Sequence, residues 1–534
     1  MKQVSRILPA IRRRNAQAQG NRQIIKLAKK VNQVPAASGV NPVVFFNAST
    51  RLGGLSLNAG FSLLTAWALR LQGVPVQHFV CDSGMSRCVL GTRQDDPSHS
   101  PPCAACKAQS RANYSSSQVR RFRFHSDPEL DRAIKNLQLA DMEVFTWQDL
   151  PLGRLVLPSL RWILRRHHLI DDEPTCYLFR QYILSAWNIA QKFLAFLEQV
   201  TPQSLVIFNG QFYPEATVKH ICKQKGIRVI SHEVGMLSFC GFFTDGEATA
   251  YPIDIPPEFT LDEKQNARLD AYLSNRFQGH FSMAGIKFWP EIRNLSPEFI
   301  QKTAKFKQVV PVFTNVVFDT SQGHANTLYN NMFAWLDDVL QVIRANSDTL
   351  FVIRSHPDEL RPGKESRESV AAWAAVHSVS DLPNVHFINA TDFISSYELV
   401  QLSKFVLVYN STIGLEASIL GKAVLCAGKA RFTQMETVFF PDSREEFLVT
   451  LDQFLAAEVV EAPEEHRLNS RKFLYYQLFC TSLPFDAFLE DDKVWRGYVR
   501  LRQFPLSALA PESSDTIRVL LDGILKGQPF LLQP

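Results

Sequence analysis

A chain of 534 residues is too long for one hydrophobic core, so two or more domains are expected. With 46% hydrophobic and 20% charged residues it reads as an ordinary soluble globular protein, and no uninterrupted apolar run of about 20 residues marks a transmembrane helix. The net charge is only +5 but unevenly placed: the first 81 residues contain eleven Lys or Arg and no Asp or Glu.

Nine of those cations lie in residues 1–30, including Arg12-Arg13-Arg14. Residues 1–40 are therefore expected to form a basic arm, either lying on an anionic membrane surface or staying solvated as a disordered tail. Nucleic acid is not an expected partner, because the arm has no aromatic residue for stacking and no nucleic-acid motif occurs elsewhere. The basic start lacks the apolar core and small-residue cleavage site of a signal peptide, so the expected location is the cytoplasm, on the inner face of the cell membrane if the arm meets lipid. An odd count of nine cysteines fits reduced thiols better than a disulfide framework.

A first α/β domain is expected over 41–270. Pro42–Asn47 reads as a buried strand, Arg51-Leu52-Gly53-Gly54 as a tight turn, Leu55–Leu71 as an apolar-periodic helix stopped by Gly73, and Val74–Cys81 as the next strand. The glycine spacing is not GxGxxG, which leaves a dinucleotide fingerprint unsupported. A cysteine-rich insert follows over 81–112. Cys103 and Cys106 have the CxxC spacing that lets two thiolates reach one ion, and Cys81 and Cys88 can complete a tetrahedral set. A structural zinc is expected there, with an iron–sulfur cluster as the second choice and unligated thiols as the plain alternative. Residues 127–200 carry a helical pattern, with the cluster Arg165-Arg166-His167-His168 reading as a solvated helix end. Ser204–Asn209 reads as a strand, Tyr213–Lys225 as a helix stopped by Gly226, and Arg228–Ser231 as a strand ending in His232-Glu233-Val234-Gly235. At the C-terminal end of a strand these face the crevice where open α/β sheets bind ligands, which makes Glu233 a candidate general base and His232 an orienting or phosphate-contacting group.

Residues 250–300, rich in Pro and charge around a helix at 261–276, read as the link to a second α/β domain over 300–440. Its expected strands are Gln308–Thr314, Leu350–Arg354, Val385–Ile388, Phe405–Tyr409 and Ala423–Ala427, with helices at Tyr329–Ile343, Phe393–Leu402 and Ile413–Leu420. Two strand ends carry chemistry. Asn410-Ser411-Thr412 offers two hydroxyls and backbone N–H groups where a strand hands over to a helix, an arrangement that either holds a phosphate or caps the helix. His356, fixed by Pro357, can donate a hydrogen bond to a phosphate oxygen. Glu416, one turn into the helix, either bonds ribose hydroxyls or sits on the helix surface. Residues 441–534 read as a helical extension packing across both halves, with helices at 443–456, 465–480, Trp495–Phe504 and Ile517–Ile524.

The segments Ile353-Arg354-Ser355-His356-Pro357, Val408-Tyr409-Asn410-Ser411-Thr412-Ile413-Gly414-Leu415-Glu416-Ala417 and Leu420-Gly421-Lys422-Ala423-Val424 together resemble capsule polysaccharide biosynthesis glycosyltransferases. The His-Pro and Ser/Thr pair is also similar to that of bacterial sialyltransferases, Kdo transferases and CDP-glycerol polymerases. The resemblance is close over about 300–440 and loose over 40–240. It implies a GT-B fold, two Rossmann-like domains facing a cleft, and a donor phosphate held by the His and the hydroxyls. Phe313-Thr314-Asn315 and Glu233-Val234-Gly235 fit the same pattern, whereas the paired-acid-Gly base motif of sialyltransferases is absent. The expected activity is sugar transfer from a CMP-, UDP- or GDP-linked donor to a surface polysaccharide or lipid-linked glycan. Thr314, Asn315, His356, Ser411, Thr412 and Glu416 would serve the donor, with Glu233 and His356 as the catalytic pair and no metal needed for the reaction. A nucleotide-sugar epimerase of similar architecture, or a non-catalytic scaffold in polysaccharide assembly or export, are the alternatives.

Overall fold

The structure is a computed structural model and describes residues 4–48, 54–278, 293–492 and 497–533. Arg51, Leu52 and Gly53 of the first expected turn, part of the link over 250–300 and Trp495 lie outside those residues.

Two sheets, one wholly and one mostly parallel, organise the chain. The first is built from β1 (Val43–Asn47), β2 (Val76–Cys81), β3 (Gln118–Phe122), β4 (Ser204–Phe208), β5 (Val229–Val234) and β6 (Cys240–Asp245). The second contains β7 (Gln308–Phe313), β8 (Thr349–Arg354), β9 (Val385–Ile388), β10 (Val406–Val408) and β11 (Val424–Cys426). The C-terminal part adds β12 (Leu483–Pro484), β13 (Leu489–Asp491) and β14 (Val499–Leu501). The sheet orders are β12-β6-β5-β4-β1-β2-β3 and β11-β10-β7-β8-β9, with β13 and β14 paired separately. Within each sheet the parallel strands follow the doubly wound order 3-2-1-4-5, so the direction of winding reverses between β1 and β4 and again between β7 and β10. This is the two-domain Rossmann-like architecture of the GT-B class.

The strands form where the sequence is continuously apolar, as parallel strands covered on both faces require. β8 (TLFVIR) and β10 (VLV) are buried along their whole length. Helices cap and stop as the sequence dictates: Ser56 accepts from the Ala59 N–H at 3.2 Å at the start of helix Leu57–Leu71, and Gly226 and Gly421 take the left-handed conformation just beyond their helices.

Four elements differ from expectation. The basic arm is helix Val4–Val31; its Ile24, Ala28 and Val31 are buried, and Gln17 Nε2 donates to Gln109 Oε1 at 3.1 Å, so its second half is part of the first domain rather than a free tail. β3 was not expected, because QVRRF carries two arginines and sits at the sheet edge. The strand expected at Arg228–Ser231 runs on to Val234 and turns back as antiparallel β6, which places Glu233 inside a strand rather than beyond one. Where a helix was expected over Trp495–Phe504, β14 pairs antiparallel with β13. Helix Glu464–Tyr475 packs on helices Ile413–Ile419 and Glu263–Phe277, then β12 joins β6 antiparallel and helix Asp515–Lys526 packs on Leu57–Leu71.

Burial leaves titratable groups in both cores. Glu215, 4% exposed at the start of helix Tyr213–Gln224, is raised to about 8 by burial. Its carboxyl is protonated in the folded chain and ionises on unfolding, so its contribution falls as pH rises from its ordinary value toward 8. Burial lowers His78 and His232 to about 3, so their contribution is complete above pH 6.5 and falls below it. Between pH 6.5 and 8 the histidines are silent and Glu215 acts together with Glu359 of the second domain, which burial likewise raises to about 8, so stability is expected to drop by about 4 kcal/mol, at about 1.4 kcal/mol per pH unit for each carboxyl. Denaturant unfolding across that range checks this, since Glu215→Gln should remove about half of the slope.

Candidate functional site

The site lies at the C-terminal ends of β7, β8 and β10, at the switch point of the second sheet. A cavity of about 90 Å3 there is lined by Thr314 after β7, Arg354, Ser355 and His356 at the end of β8, and Ser411 and Thr412 after β10. Register explains the meeting: Phe313 pairs with Arg354 on one side and with Val408 on the other, so the residues that follow emerge side by side. Asn315 Nδ2 donates to Asn410 Oδ1 at 2.6 Å and ties the two loops that flank the switch point.

His356 accepts the Asp358 N–H on Nδ1 at 3.1 Å. With Nδ1 occupied as an acceptor, the hydrogen-bonding pattern assigns the proton to Nε2. Burial lowers the His356 pKa, with Arg354 acting the same way and Asp358 and Asp319 opposing. The ring is therefore a neutral N–H donor at physiological pH. Among the described residues, neither the Ser411 nor the Thr412 hydroxyl makes a hydrogen bond, although both line the cavity. Thr314 differs: its hydroxyl and its backbone N–H both go to the Arg354 carbonyl, at 2.9 and 3.3 Å, so its side chain fixes β8 against β7. Asn315 bridges the loops and does not line the cavity.

Sequence reasoning missed two arginines. Arg354 is 8% exposed, and burial lowers it to about 10, which leaves it protonated at neutral pH; its Nη1 has no partner among the described residues, and neither does the Ser355 Oγ beside it. Arg276 arrives from helix Glu263–Phe277, 140 residues away in sequence from Glu416, and binds that carboxylate through Nε at 2.7 Å. Burial alone would lower the Arg276 pKa, but Glu416 holds it above its ordinary value. Tyr397 donates its hydroxyl to the other Glu416 oxygen at 2.6 Å. Glu416, 4% exposed, is thus the anchor of a buried ion pair at the cavity wall.

On the first domain, Glu233 lies at the end of β5. Asn58 Nδ2 and the Val234 N–H donate to Oε1 at 3.2 and 2.9 Å, and Asn209 Nδ2 donates to Oε2 at 2.8 Å. Burial raises its pKa, against the lowering effect of those three donors. The exposed Asp319, in the loop after β7, is close enough for its charge to raise the pKa of both Glu233 and His356. The two domains touch directly around this cleft: Thr249 Oγ1 and His324 Nε2 are 3.0 Å apart, Gln434 Nε2 donates to the Tyr251 carbonyl at 2.9 Å, and the Arg431 guanidinium lies 3.6 Å from the centre of the Tyr251 ring. His232 is buried beneath the cleft, its Nδ1 3.3 Å from Asn58 Oδ1, where it supports Asn58 rather than facing a ligand.

Residues 291–436, which include the cavity lining apart from Arg276, match the family model described as capsule polysaccharide biosynthesis protein. The match falls within the second domain and covers no part of the first. The chain is also 27% identical over 239 residues to Protein FixF of Sinorhizobium fredii (strain NBRC 101917 / NGR234), a match covering 44% of this chain and 50% of that protein. The chain thus spans about half the length of the curated relative it matches. Among solved structures, the β-Kdo 2,4 transferase KpsC of Thermosulfurimonas dismutans is similar with a TM-score of 0.35 and 10% identity, over 56% of this chain and 84% of that one. A UDP-GlcNAc 2-epimerase from Neisseria meningitidis, bound to UDP-GlcNAc, gives 0.25 and 12%, over 81% and 98%. At such values the fold of the two domains rests on the chain's own sheet orders.

The remaining expectations concern metal and membrane. Cys81, Cys88, Cys103 and Cys106 line one small cavity in the first domain, but among the described residues no three His, Cys, Asp or Glu side chains are closed on a point as ligands of an ion. No helix among the described residues is long and apolar enough to cross a membrane.

Proposed function

We propose that this protein is a glycosyltransferase that moves a sugar from a nucleotide-activated donor to a surface-polysaccharide or lipid-linked glycan acceptor. The observation that carries the reading is the convergence of an imidazole N–H, two uncommitted hydroxyls and a buried guanidinium on one cavity at the switch point of the second sheet. The cavity takes the phosphate, and the remainder of the donor lies along the open cleft. His356, Ser411, Thr412 and Arg354 hold the leaving phosphate. Fixed donors aimed at developing negative charge lower the barrier because they need no reorganisation as the bond breaks. Glu416 acts through Arg276 as a wall of the pocket. Residues of this chain supply the charge stabilisation that transfer needs.

The acceptor enters from the first domain, where Glu233 removes the proton of the attacking hydroxyl. The raised pKa of its carboxyl brings its basicity nearer to working pH, and its three neutral donors fix its direction. A general base of this kind contributes roughly 10²–10⁴ in rate. Glu233→Gln is therefore expected to cut kcat by about 10² or more while leaving the donor KM near wild type. The kcat of the unmodified enzyme should fall as pH drops through the raised pKa of Glu233, and that limb should vanish in Glu233→Gln. If Asp319→Asn removes the limb and Glu233→Gln keeps it, the base is Asp319. Thermal-shift measurements with CMP, UDP and GDP, each followed by the corresponding sugar nucleotides, identify the donor. No shift with any of them defeats the proposal. Product formation from UDP-GlcNAc alone, without acceptor, turns the reading to epimerisation.

A further inference from the structure

The cysteine-rich insert plays no part in the donor site, yet its geometry is organised. Cys81 is the last residue of β2, Cys88 opens the short turn Val89–Gly91, and Cys103 and Cys106 stand one turn apart in the first turn of helix Cys103–Asn113. From these three separate elements all four cysteines line one void of about 40 Å3, walled by Ala48, Met85 and Pro101. Random placement of four cysteines among nine would not bring them together, since the other five are spread through the cores at positions 176, 222, 240, 426 and 480.

The backbone around the sulfurs carries a second signal. Cys81-Asp82-Ser83-Gly84 and Cys88-Val89-Leu90-Gly91 are both Cys-x-x-Gly turns. The Gly84 N–H donates to Cys81 Sγ at 3.2 Å, and the Gly91 N–H closes the second turn on the Cys88 carbonyl at 3.1 Å. Each glycine is required by space: a Cβ at Gly84 would stand 2.2 Å from the Phe122 ring, and one at Gly91 would stand 2.8 Å from Cys88 Sγ. N–H donors aimed at sulfur stabilise thiolate more than thiol, and outer donors of this kind orient metal ligands. Lys107 and the N-terminal end of helix Cys103–Asn113 border the same void and would offset the negative charge of four thiolates around a divalent ion.

We infer that Cys81, Cys88, Cys103 and Cys106 form a structural zinc site that knots the insert to the ends of β2 and helix Cys103–Asn113. The ion is zinc on chemical grounds: four thiolates and no open position describe a closed tetrahedral site with bonds of about 2.3 Å. The sulfurs line the void without being closed on one point, and an ion draws them inward with release of their protons. The knot explains how residues 82–102, which contain only one short turn of regular structure, hold a defined path. That path ends in a contact with the other domain, where Arg367 pairs with Asp95. The inference stands apart from the donor-pocket reading, and its test does not depend on transfer activity.

The full chain, purified under reducing conditions without chelator, is analysed for metals by mass spectrometry. One zinc per chain is expected, released when a mercurial blocks the thiols. Replacing the ion with cobalt should give thiolate-to-cobalt charge transfer and the intense visible bands of a tetrahedral site. Cys103→Ser/Cys106→Ser should lose the zinc, whereas Cys222→Ser, in the core of the first domain, should keep it. If the double variant does not fold, the stoichiometry and the cobalt spectrum of the unmodified chain still decide. Three results overturn the inference: a metal-free chain that fails to take up one equivalent of added zinc, a Cys103–Cys106 disulfide in the freshly isolated protein, or iron and sulfide in place of zinc.

Discussion

His356→Ala is expected to lower kcat for sugar transfer by about 10²–10³, the usual effect of removing one preorganised donor to a developing anion. The argument rests on the state of the ring. Nδ1 accepts the Asp358 N–H at 3.1 Å, and burial lowers the pKa, so Nε2–H is a neutral donor throughout the physiological range. Two consequences separate this role from a structural one. His356→Gln, which retains a neutral N–H donor, should recover part of the lost rate, whereas a purely packing role gives Gln no advantage over Ala. The pH–rate profile should show no limb belonging to His356 above pH 6.5, because a lowered pKa moves its titration to more acidic values. Loss of the cap on the turn Pro357–Leu360 costs about 1 kcal/mol, too little to unfold the domain. A His356→Ala enzyme with wild-type kcat and donor KM would leave the site without its central residue.

Glu416→Ala is expected to destabilise the protein by about 3–5 kcal/mol, the typical cost of removing one partner of a buried ion pair. Arg276 and Glu416 are 8% and 4% exposed, and Tyr397 depends on the same carboxylate for its hydroxyl. Deleting the carboxylate leaves a charged guanidinium buried at the cavity wall. The measure is denaturant unfolding, and the control is the double variant Arg276→Met/Glu416→Leu, which removes both charges and should regain most of the loss. If Glu416→Ala is as stable as the parent, the pair is not the clamp the geometry describes. Had Glu416 instead bound a ribose, its loss would raise the donor KM and leave unfolding unchanged.

Most of the second domain could be read from the sequence because its strands are short, apolar and bounded by polar turns. β9 is Val385–Ile388, as the apolar run indicates, β10 lies within the run read as a strand, and β8 starts one residue before its run. The convergence of His356 with Ser411 and Thr412 was also readable, since in a parallel sheet residues just past neighbouring strand ends share one edge. What the sequence hides is partnership at long range. Nothing local marks Arg276 as the counter-ion of Glu416, because the pairing depends on how the linking helix lies against the second domain. Thr314 has the right position and the wrong commitment: only the packed structure reveals that its hydroxyl holds the Arg354 carbonyl. β3 escaped because an edge strand tolerates the charge of Arg120 and Arg121, which removes the apolar signal. The arm misled through composition, since its many cations obscure the spacing of Ile24, Ala28 and Val31 that docks its second half.

The pairing of β12 with β6 bears on how the chain is made. Leu483 and Phe485 fill the same core as Phe61 and Leu64, so the first domain is completed by residues that leave the ribosome after the whole second domain. A nascent chain that ends before residue 483 carries β6 as an open edge, with its backbone groups available to any neighbouring strand. The order of synthesis therefore does not set the order of completion: the domain that is synthesised second can close first, and the earlier one waits for the chain to return.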